Sequence, residues 1–437
     1  MQTITVIAPP SKSLSHRSLI CAALADGESR LEHVLESDDS ARTIECLKAL
    51  GADIERLAPG SYKLKGLKGR IVQPEDAGPL SLFVGESGTT CRLLTAVIAT
   101  GNGRFRVHGA GRMHERPIGE LSRALTSLGA SFDFLERPGC PPFVLTACGL
   151  DASHLPKATI AISCAESSQY LSGLLLAAPL VPDGLRILLE GEKAVSWPYV
   201  NLTLETIATF GVNVEVQKPA IAGALLFKAP FGHYQARALT VEGDYSGASY
   251  FLAAGAIGPA AVQVMGLKRD SLQADAALLP LLERMGAQVK WDGDAVTVSP
   301  APLHGIEADM GQCPDIVPTL AVLASRAKGR SVFGNAAHLA IKESDRLRAP
   351  ARELGKIGCR VQVLPDGLVI DPPQKGLAPL PPGQVFSAHN DHRMAMSMAL
   401  LGLAGPKGDG IAVPLDNPGC VAKSFPDFWN EWRKIQP

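Results

Sequence analysis

The residues best suited to chemistry are cations that recur in a few short segments. They are Lys12 and Arg17 in SKSLSHR, Arg92 in GESGTTCRLL, Arg112 and Arg116 in RMHERPI, Lys342 and Arg346 in IKESDR, Arg393 in NDHR, and Lys423 in CVAKSF. Any one of them alone is better interpreted as a solvated surface charge, because Lys and Arg are seldom buried. Together, forked guanidinium groups and compact ammonium groups are the side chains that bind phosphates and carboxylates. The segments therefore predict a site for small anions.

Three acidic residues supply candidate proton chemistry beside these cations. Asp315 follows Pro314 at the start of an apolar helical run, and Glu343 and Asp345 lie inside IKESDR. A carboxylate among cations stays ionised and can act as a general base. The alternative is helix capping for Asp315 and simple ion pairing for Glu343, which spacing alone favours slightly.

Composition excludes several classes of protein. The 437 residues hold 42 Lys+Arg against 43 Asp+Glu, a formal charge of −1, whereas a nucleic-acid-coating protein would be basic. The start, MQTITVIAPPSKS, lacks the basic and apolar regions of a secretory signal. The most apolar stretch, 250–265, is broken by Gly258 and Pro259 and is shorter than the roughly 20 residues of a membrane span. We expect a soluble cytoplasmic protein that binds neither nucleic acid nor membrane.

Metal and nucleotide motifs are missing from the sequence. The nine cysteines are scattered without a C-x-x-C pair, and no H-E-x-x-H is present, so we expect reduced thiols, no metal and no cofactor. No G-x-x-x-x-G-K-[ST] occurs, and Gly109-Ala110-Gly111 has His114 where a dinucleotide fingerprint needs a third Gly. Cys140 in RPGCPPF is interpreted as an exposed, incidental loop thiol, because no activating base is evident.

Two sequence elements alternate along the chain and must position the charged segments. The first is a helix end, a Gly and a strand, with the glycines at 51, 129, 211, 286 and 358. The second is a polar opener leading into an apolar helix, and it starts at residues 11, 87, 167, 246, 315 and 390. The near-constant spacing predicts six units of about one sixth of the chain. Chance similarity in a generic α/β chain is the weaker interpretation.

The opener helices are apolar nearly all round, so we expect them to be buried. Three units around an axis predict a domain with helices inside and sheets outside, and six units predict two such domains. Rotation-related helices point the same way, so their N-termini would converge at one end of each domain, where helix dipoles favour anions. Two such ends facing each other would form an anion-binding cleft.

The collected segments resemble the EPSP synthase family of enolpyruvyl transferases from end to end. Ten motifs occur in order: PPSKSLSHR, GESGTTCRLL, RMHERPIG, ESSQYLSGLL, VSWPYV, DYSGASYFLAA, CPDIVPTLAV, IKESDR, NDHRMAMSMAL and GCVAKSFPDF. The resemblance implies an α/β (α+β) fold of two inside-out domains, each of three βαβαββ repeats with buried parallel helices and outer sheets. We place the domains at 12–242 and at 1–11 plus 243–437, with the active-site cleft between them.

The resemblance also implies two substrates and the residues that bind them. Shikimate 3-phosphate would be bound by Ser13, Arg17, Ser167, Ser168, Gln169, Ser196, Tyr199, Asp315 and Lys342. Phosphoenolpyruvate would be bound by Lys12, Gly88, Arg116, Gln169, Arg346, Arg393 and Lys423.

The implied reaction is an addition followed by an elimination. The 5-hydroxyl of shikimate 3-phosphate attacks C2 of phosphoenolpyruvate while C3 is protonated, and the tetrahedral intermediate then expels phosphate. Asp315 is suited to be the base for the hydroxyl and Glu343 to handle the C3 proton, with Lys12 a competing candidate for either transfer. Domain closure would assemble these groups and exclude water. We expect a monomer.

Four positions depart from the family pattern. Glu86 stands where Asn is usual, Leu93 where many relatives have Pro, Trp197 where several have Lys, and His338 where Asn or Arg is common. A carboxylate at position 86 would repel anionic substrates unless it is paired, for example with Lys12. We therefore hypothesise that Glu86 is ion-paired, and that Glu86→Asn alters the KM for phosphoenolpyruvate; unchanged KM and kcat would contradict this.

Two rival functions are considered. The UDP-N-acetylglucosamine 1-carboxyvinyltransferase family would show Lys-Asn near the start and an activated Cys in a G-C-A-I-type loop, whereas this chain has SKS and GCPP. A non-catalytic anion-binding scaffold is the second rival. Retention of Lys12, Asp315, Glu343 and Lys423 together disfavours it.

Overall fold

The computed structural model describes residues 2–73, 78–191, 195–218, 224–403 and 410–436. In these ranges the α-helices are α1 (Lys12–Leu24), α2 (Asp38–Ala49), α3 (Gly88–Ala99), α4 (Gly119–Thr126), α5 (Gln169–Ala177), α6 (Pro198–Thr209), α7 (Tyr245–Ile257), α8 (Leu278–Met285), α9 (Val317–Arg326), α10 (Arg348–Gly355), α11 (His392–Ala399) and α12 (Phe428–Arg433). Short 3₁₀ turns lie at Gly111–Glu115, Pro156–Ala158, Ala178–Leu180, Ala274–Ala277, Pro314–Ile316, Ala337–Ile341, Leu400–Gly402 and Pro418–Lys423.

The strands in the same ranges are short. They are β1 (Thr3–Ile7), β2 (Glu28–Glu32), β3 (Asp53–Ala58), β4 (Ser61–Lys65), β5 (Leu80–Phe83), β6 (Asn102–His108), β7 (Ser131–Phe134), β8 (Phe143–Cys148), β9 (Thr159–Ser163), β10 (Leu185–Glu190), β11 (Glu215–Gln217), β12 (Leu225–Ala229), β13 (Ala238–Thr240), β14 (Ala261–Met265), β15 (Gln288–Asp292), β16 (Ala295–Ser299), β17 (Glu307–Asp309), β18 (Ser331–Gly334), β19 (Arg360–Leu364) and β20 (Gly367–Asp371).

The chain divides into two compact units. The continuous unit comprises residues 12–241, and the discontinuous unit comprises residues 1–11 with 242–437. Among its described residues, the continuous unit holds three four-stranded sheets, in the orders β13-β2-β4-β3, β5-β6-β8-β7 and β11-β12-β10-β9. The described part of the discontinuous unit holds two more, β1-β14-β16-β15 and β17-β18-β20-β19.

All five sheets share one pairing pattern. Each has one parallel pair at an edge and two antiparallel pairs, as in β5 with β6, β6 with β8 and β7 with β8. The repeats at 80–148, 159–229 and 307–371 each follow the chain order β-α-β-α-β-β. In the other repeat of the continuous unit the first strand is β13, and in the repeat that contains α7 it is β1, paired in parallel with β14. The predicted internal repeat is confirmed in these five copies.

The sixth copy is shorter. A parallel bridge joins Phe386 to Leu415 on either side of α11, and α12 follows. Residues 404–409 lie outside the described part of this copy.

The opener helices form and are buried, as predicted. In α3 every residue except Thr89 is buried, and in α7 every residue except Ser246 is buried. Small residues in these helices allow close packing: a Cβ on Gly173 of α5 would lie 2.9 Å from the carbonyl oxygen of Arg92 in α3. The five glycines that end helices have φ between 90° and 105°, the left-handed region that glycine adopts without strain.

Two further expectations concern single segments. Tyr250–Met265 is divided between α7 and β14, and none of the described helices is long and apolar enough to span a membrane. All nine cysteines are free thiols and most are buried. The expectation of an exposed thiol at Cys140 is wrong: its side chain is buried beside Pro141 and Pro142, and burial raises its pKa. The Pro-rich loop folds inward because its apolar side chains pack there.

Candidate active site

The N-termini of the buried helices converge within the discontinuous unit. Arg393, in the first turn of α11, donates from Nη2 to Asp315 Oδ2 at 2.7 Å. Asp315 lies in the turn Pro314–Ile316, which leads into α9. Ser246, in the first turn of α7, donates to Asp275, whose carboxyl lies within the electrostatic field of Asp315 and Arg393. The starts of α7, α9 and α11 therefore lie close to one another in this unit.

Arg346 is the centre of this charged cluster. Its side chain is 2% exposed, and it donates to Asp391 Oδ2 (2.7 Å) and Oδ1 (3.1 Å), to Asp315 Oδ1 (2.9 Å) and to Glu343 Oε2 (2.9 Å). Burial disfavours its charge, but the three carboxylates outweigh burial and hold its pKa above the ordinary value. A fixed guanidinium that contacts three acids makes each acid's position depend on the others.

The acids of this cluster stay ionised. Burial favours the neutral form of Asp315, but Arg393, Lys342 and Arg346 outweigh it and lower the pKa below its ordinary value. Asp391 is fully buried, whereas Asp315 is only partly so, and Arg346 is the main reason that the pKa of Asp391 falls to about 2. Asp391 also caps α11 by accepting from the Arg393 amide at 2.9 Å.

Glu343 connects the cluster to the C-terminal segment. Its Oε1 lies 3.9 Å from Nζ of Lys423, while Oε2 is bonded to Arg346. Lys423 ends the turn Pro418–Lys423 and is buried. Lys342 is half-buried, and its charge acts both on Asp315 and on His338, whose pKa burial and Lys342 lower to about 4. The structure therefore brings together the six predicted residues of this unit: Asp315, Lys342, Glu343, Arg346, Arg393 and Lys423.

Lys12 begins α1 in the continuous unit and forms an ion pair with Asp39. A hydrogen-bond chain supports this pair: His16 Nδ1 lies 2.7 Å from Thr43 Oγ1, which lies 2.7 Å from Thr90 Oγ1. Thr90 also donates to the backbone carbonyl oxygen of Asp39 at 3.3 Å. The first turn of α3 is thus joined to the ion pair of Lys12.

Arg17 is buried and oriented by backbone oxygens. It donates from Nη1 to the carbonyl of Ser13 at 2.9 Å and from Nη2 to that of Tyr199 at 3.1 Å, with Nε bonded to Thr203 Oγ1 at 2.8 Å. Burial lowers its pKa to about 10, so it remains a cation at neutral pH. No carboxylate pairs with this guanidinium among the described residues, which suits it to bind an external anion.

Ser196 lies near Arg17 in a strained conformation. It is buried with φ of +57°, an unfavourable value for a residue that carries a Cβ. Its carbonyl accepts from the Tyr199 amide at 3.1 Å at the start of α6. This connection places two predicted shikimate 3-phosphate ligands, Ser196 and Tyr199, beside Arg17.

Gln169 connects two of the helix N-termini. As the first residue of α5 it donates to Thr89 Oγ1 in the first turn of α3 at 3.0 Å, and it accepts from Arg92 Nη1 at 2.9 Å. Its own amide donates to Ser167 Oγ at 3.3 Å, and Ser168 precedes it as the buried cap of α5. These contacts fix the orientation of the side-chain amide of Gln169.

Arg116 lies over the N-terminus of α3. A Cβ added to Gly88 would lie 2.6 Å from its Cζ, so Gly at this position allows the guanidinium to approach the helix. Arg116 Nη1 donates to the backbone carbonyl of Glu86 at 3.3 Å. The Glu86 carboxylate packs against Gly111, where an added Cβ would overlap its Oε1. Lys12, named in the Glu86 hypothesis, pairs with Asp39, and that hypothesis stays a prediction.

Sequence reasoning did not single out Asp39, Asp275 or Asp391, and left Arg92 out of the site. Asp391 precedes a helix in NDHR, and an N-cap signal could have identified it. The roles of Asp39 and Asp275 depend on contacts between distant segments. Within the ranges described, no cluster of three or more His, Cys, Asp or Glu side chains is arranged to bind a metal ion.

The fold and these clusters define a repeat-built α/β protein suited to binding small polyanions at helix N-termini. Solved structures of similar fold include two enolpyruvyl transferases. EPSP synthase from Acinetobacter baumannii superposes with a TM-score of 0.76 at 24% identity, over 99% of this chain and 96% of that one. The enolpyruvyl transferase NikO from Streptomyces tendae gives a TM-score of 0.75 at 20% identity, over 100% and 94%. These likenesses show the fold.

The chain belongs to the EPSP synthase family of enzymes. The model described as EPSP synthase (3-phosphoshikimate 1-carboxyvinyltransferase) matches residues 2–432. The 3-phosphoshikimate 1-carboxyvinyltransferase of Nitrosomonas europaea is 39% identical over 434 residues, 98% of this chain and 95% of that protein. The enzyme of the same name from Laribacter hongkongensis is 40% identical over 440 residues, 99% and 96%. The family resemblance found in the motifs is confirmed.

Proposed function

We propose that this chain transfers the enolpyruvyl group of phosphoenolpyruvate to the 5-hydroxyl of shikimate 3-phosphate, in the shikimate pathway. Full-length family membership supports the proposal, and the observation that carries it is the Asp315–Arg346–Arg393 cluster, which keeps the partly buried carboxylate of Asp315 ionised among cations. Substrates of this family are small molecules. A monomeric state and a cytoplasmic location stay predictions.

In the proposed addition step, Asp315 takes the proton of the 5-hydroxyl, and the hydroxyl oxygen forms a bond to C2. The π electron pair of phosphoenolpyruvate takes a proton at C3. Glu343 is proposed to supply this proton, and Lys12 competes with it for either transfer. The hydrogen bonds from Arg346 to Asp315 and Glu343 support these roles, because they orient both acids.

In the proposed elimination step, the bond from C2 to the phosphate oxygen breaks and C3 returns its proton, which restores the double bond. Lys12, Arg116, Arg393 and Lys423 are proposed to bind the carboxylate and phosphate of phosphoenolpyruvate. Oxocarbenium-like charge at C2 would be stabilised by the carboxylates and the departing phosphate by the cations. The remaining N–H group of Arg346 can contact phosphoenolpyruvate alongside these cations, because its other N–H groups donate to carboxylates. Gly88 contributes by leaving room for Arg116.

Shikimate 3-phosphate is proposed to bind Arg17 and the polar groups that surround it. The full set is Ser13, Arg17, Ser167, Ser168, Gln169, Ser196 and Tyr199 in the continuous unit, with Asp315 and Lys342 in the discontinuous unit. The buried Arg17, oriented by the Ser13 and Tyr199 carbonyls, supports a phosphate contact. Gln169 is proposed to contact both substrates.

Phosphate release from phosphoenolpyruvate tests the proposal. We expect release only when shikimate 3-phosphate is present, together with an equal amount of the enolpyruvyl ether. Release with UDP-N-acetylglucosamine instead would assign the chain to the other transferase reaction, and no release with either acceptor would favour the scaffold.

Asp315→Ala tests the base. We expect retained ligand binding and a kcat lowered by about 10²–10⁴-fold. The matched control is Asp371→Ala, since Asp371, like Asp315, accepts two hydrogen bonds from arginine, here both from Arg330, but at the surface. Full turnover in Asp315→Ala would remove Asp315 from the base role.

A further inference from the structure

A buried carboxyl group, that of Asp275, lies at the same end of the discontinuous unit as Asp315. Asp275, in the turn Ala274–Ala277, is 1% exposed. Its Oδ2 accepts from the hydroxyl of Ser246, in the first turn of α7. Its Oδ1 is buried without a hydrogen-bond partner in the described ranges. Ionising a carboxyl group costs free energy when one of its buried oxygens accepts no hydrogen bond, so this geometry favours the protonated form of Asp275.

The charged surroundings of Asp275 come from three packed elements. Helix α7 contributes Asp244, at its cap, and Ser246. The segment that leads into α9 contributes Cys313 and Asp315, and α11 contributes Arg393. Helix α7 packs against both turns, and α8 follows the Asp275 turn directly. Arg393 is the one cation in this set, and it already donates to Asp315 at 2.7 Å.

The two carboxyl groups are driven in opposite directions. Burial is the main cause that raises the pKa of Asp275 to about 7; Asp315 and Asp244 add to it, and Arg393 and Ser246 oppose it. The cations around Asp315 hold its pKa below the ordinary value. Two neighbouring acids with separated pKa values can serve as one anion and one neutral acid at the same pH.

We propose that Asp275 is a positioning residue which stays protonated in the working enzyme and so reserves the guanidinium of Arg393 for Asp315 and for an anionic substrate. An ionised Asp275 would draw Arg393 towards itself and would add a negative charge where phosphoenolpyruvate must bind. The inference rests on the proposed transferase activity and adds to it a residue that controls the pH range for binding phosphoenolpyruvate.

The main test compares pH profiles of Asp275→Asn and the unaltered protein. The amide has nearly the same shape, accepts from Ser246 and cannot ionise. In the unaltered protein we expect kcat/KM for phosphoenolpyruvate to fall about tenfold per pH unit above the Asp275 inflection, through a rising KM. In Asp275→Asn this inflection disappears, so one pH unit above the inflection of the unaltered protein the variant should exceed it by about tenfold. Titration of the substrate affects both proteins equally and cancels in the comparison.

Ser246→Ala gives a second variant that predicts a shift rather than a loss. The Ser246 hydroxyl stabilises the anion of Asp275, so its removal raises the pKa of Asp275 further. We expect the alkaline inflection to move to higher pH in Ser246→Ala. An inflection that persists unmoved in either variant would show that Asp275 has only a structural role.

Infrared spectroscopy separates this inference from the proposed function. A buried neutral carboxylic acid gives a carbonyl-stretch band that an ionised carboxylate lacks. We expect this band at pH 6 in the protein without substrates, its loss on raising the pH, and its absence in Asp275→Asn. If the protein makes no product at any pH, the proposed function fails while the band still decides the protonation of Asp275. An absent band at pH 6 overturns the inference even if the enzyme turns over.

Discussion

Arg346 contacts both carboxylate oxygens of Asp391, from Nε to Oδ2 at 2.7 Å and from Nη2 to Oδ1 at 3.1 Å. Both side chains are almost wholly buried, and Asp391 also caps α11. The pair therefore joins the loop before α10 to the helix that carries Arg393. Because Arg346 also contacts Asp315 and Glu343, one guanidinium orients both acids proposed to move protons.

Replacing Arg346 should affect stability and turnover together. We expect Arg346→Met to lower the free energy of unfolding by about 3–5 kcal/mol, because it leaves buried carboxylates without their partner. Arg346→Lys keeps the charge but lacks the planar fork, so it should lose less stability and still lose most of kcat. Urea unfolding and steady-state kinetics measure the two effects.

Arg330 provides the matched control. It makes the same two-bond contact to Asp371, at 2.8 and 3.1 Å, on the exposed face of its sheet. Arg330→Met should change stability by about 1 kcal/mol or less, since water replaces an exposed pair. Equal losses at Arg346 and Arg330 would contradict the role assigned to burial.

Gly88→Ala should weaken phosphoenolpyruvate binding while the fold stays stable. The added Cβ meets the end of the Arg116 side chain at 2.6 Å, and a flexible side chain can move aside at little cost. Displacing that guanidinium should raise the KM for phosphoenolpyruvate about tenfold, a loss of about 1.4 kcal/mol, with the KM for shikimate 3-phosphate unchanged. Kinetics with each substrate varied in turn measure this.

Gly119→Ala is the control for this substitution. Gly119 begins α4 as Gly88 begins α3, but the nearest atom to its added Cβ is 4.0 Å away. Its kinetic constants should stay within about twofold of the unaltered protein, well inside a 1 kcal/mol effect. A Gly88→Ala variant with the same KM values as Gly119→Ala would remove Arg116 from the phosphoenolpyruvate site.

Gln273 should be a stability determinant of the discontinuous unit. Its Oε1 accepts from the Tyr245 amide at 3.1 Å and from Ser11 Oγ at 3.2 Å, and its Nε2 donates to the Gly243 carbonyl and to Glu242 Oε1, both at 2.7 Å. Gln273→Ala leaves several buried polar groups unsatisfied, and we expect a loss of about 2–4 kcal/mol.

Gln263→Ala controls for the loss of a glutamine side chain. Gln263 lies on β14 and accepts a single exposed bond from Thr5 at 3.3 Å. Its removal should change the free energy of unfolding by about 0.5 kcal/mol or less. Comparable losses for the two variants, measured by urea unfolding, would show that the Gln273 network contributes little.

Much of this fold was predictable because the repeated elements carry their own signals. Glycines such as Gly51 and Gly286 mark helix ends by a backbone conformation that other residues avoid, and all-round apolar runs such as 245–257 predict buried helices. The cations were predictable for the same reason, since the repeat places them at helix starts.

The partners of these cations were not predictable from spacing. Lys12 pairs with Asp39, and Arg346 with Asp391, across 27 and 45 sequence positions, and an acidic residue at a helix start has the same local pattern whether it caps the helix or pairs with a distant cation. Burial of Cys140 and Asp275 likewise arises from tertiary packing, which overrides the polar or Pro-rich character of a short segment.

His16 should make the protein less stable in acid. It is fully buried, and burial, aided by Lys12 and Arg17 and opposed by Asp39, lowers its pKa to about 3. In the unfolded chain His16 is protonated as the pH falls below its ordinary pKa of 6.5, whereas in the folded chain it stays neutral down to about pH 3. The free energy of unfolding is therefore highest above pH 6.5 and declines as the pH falls towards 3. His16→Asn cannot take up that proton.

Between pH 7.5 and 4.5 we therefore expect the unaltered protein to lose about 2–3 kcal/mol more than His16→Asn. Urea unfolding at both pH values measures the difference, and His304→Asn, at an exposed histidine, should leave the pH dependence unchanged. If the His16→Asn and unaltered proteins lose stability in parallel, His16 accepts its proton in the folded state, and the buried chain through Thr43 and Thr90 must be able to accommodate the charge.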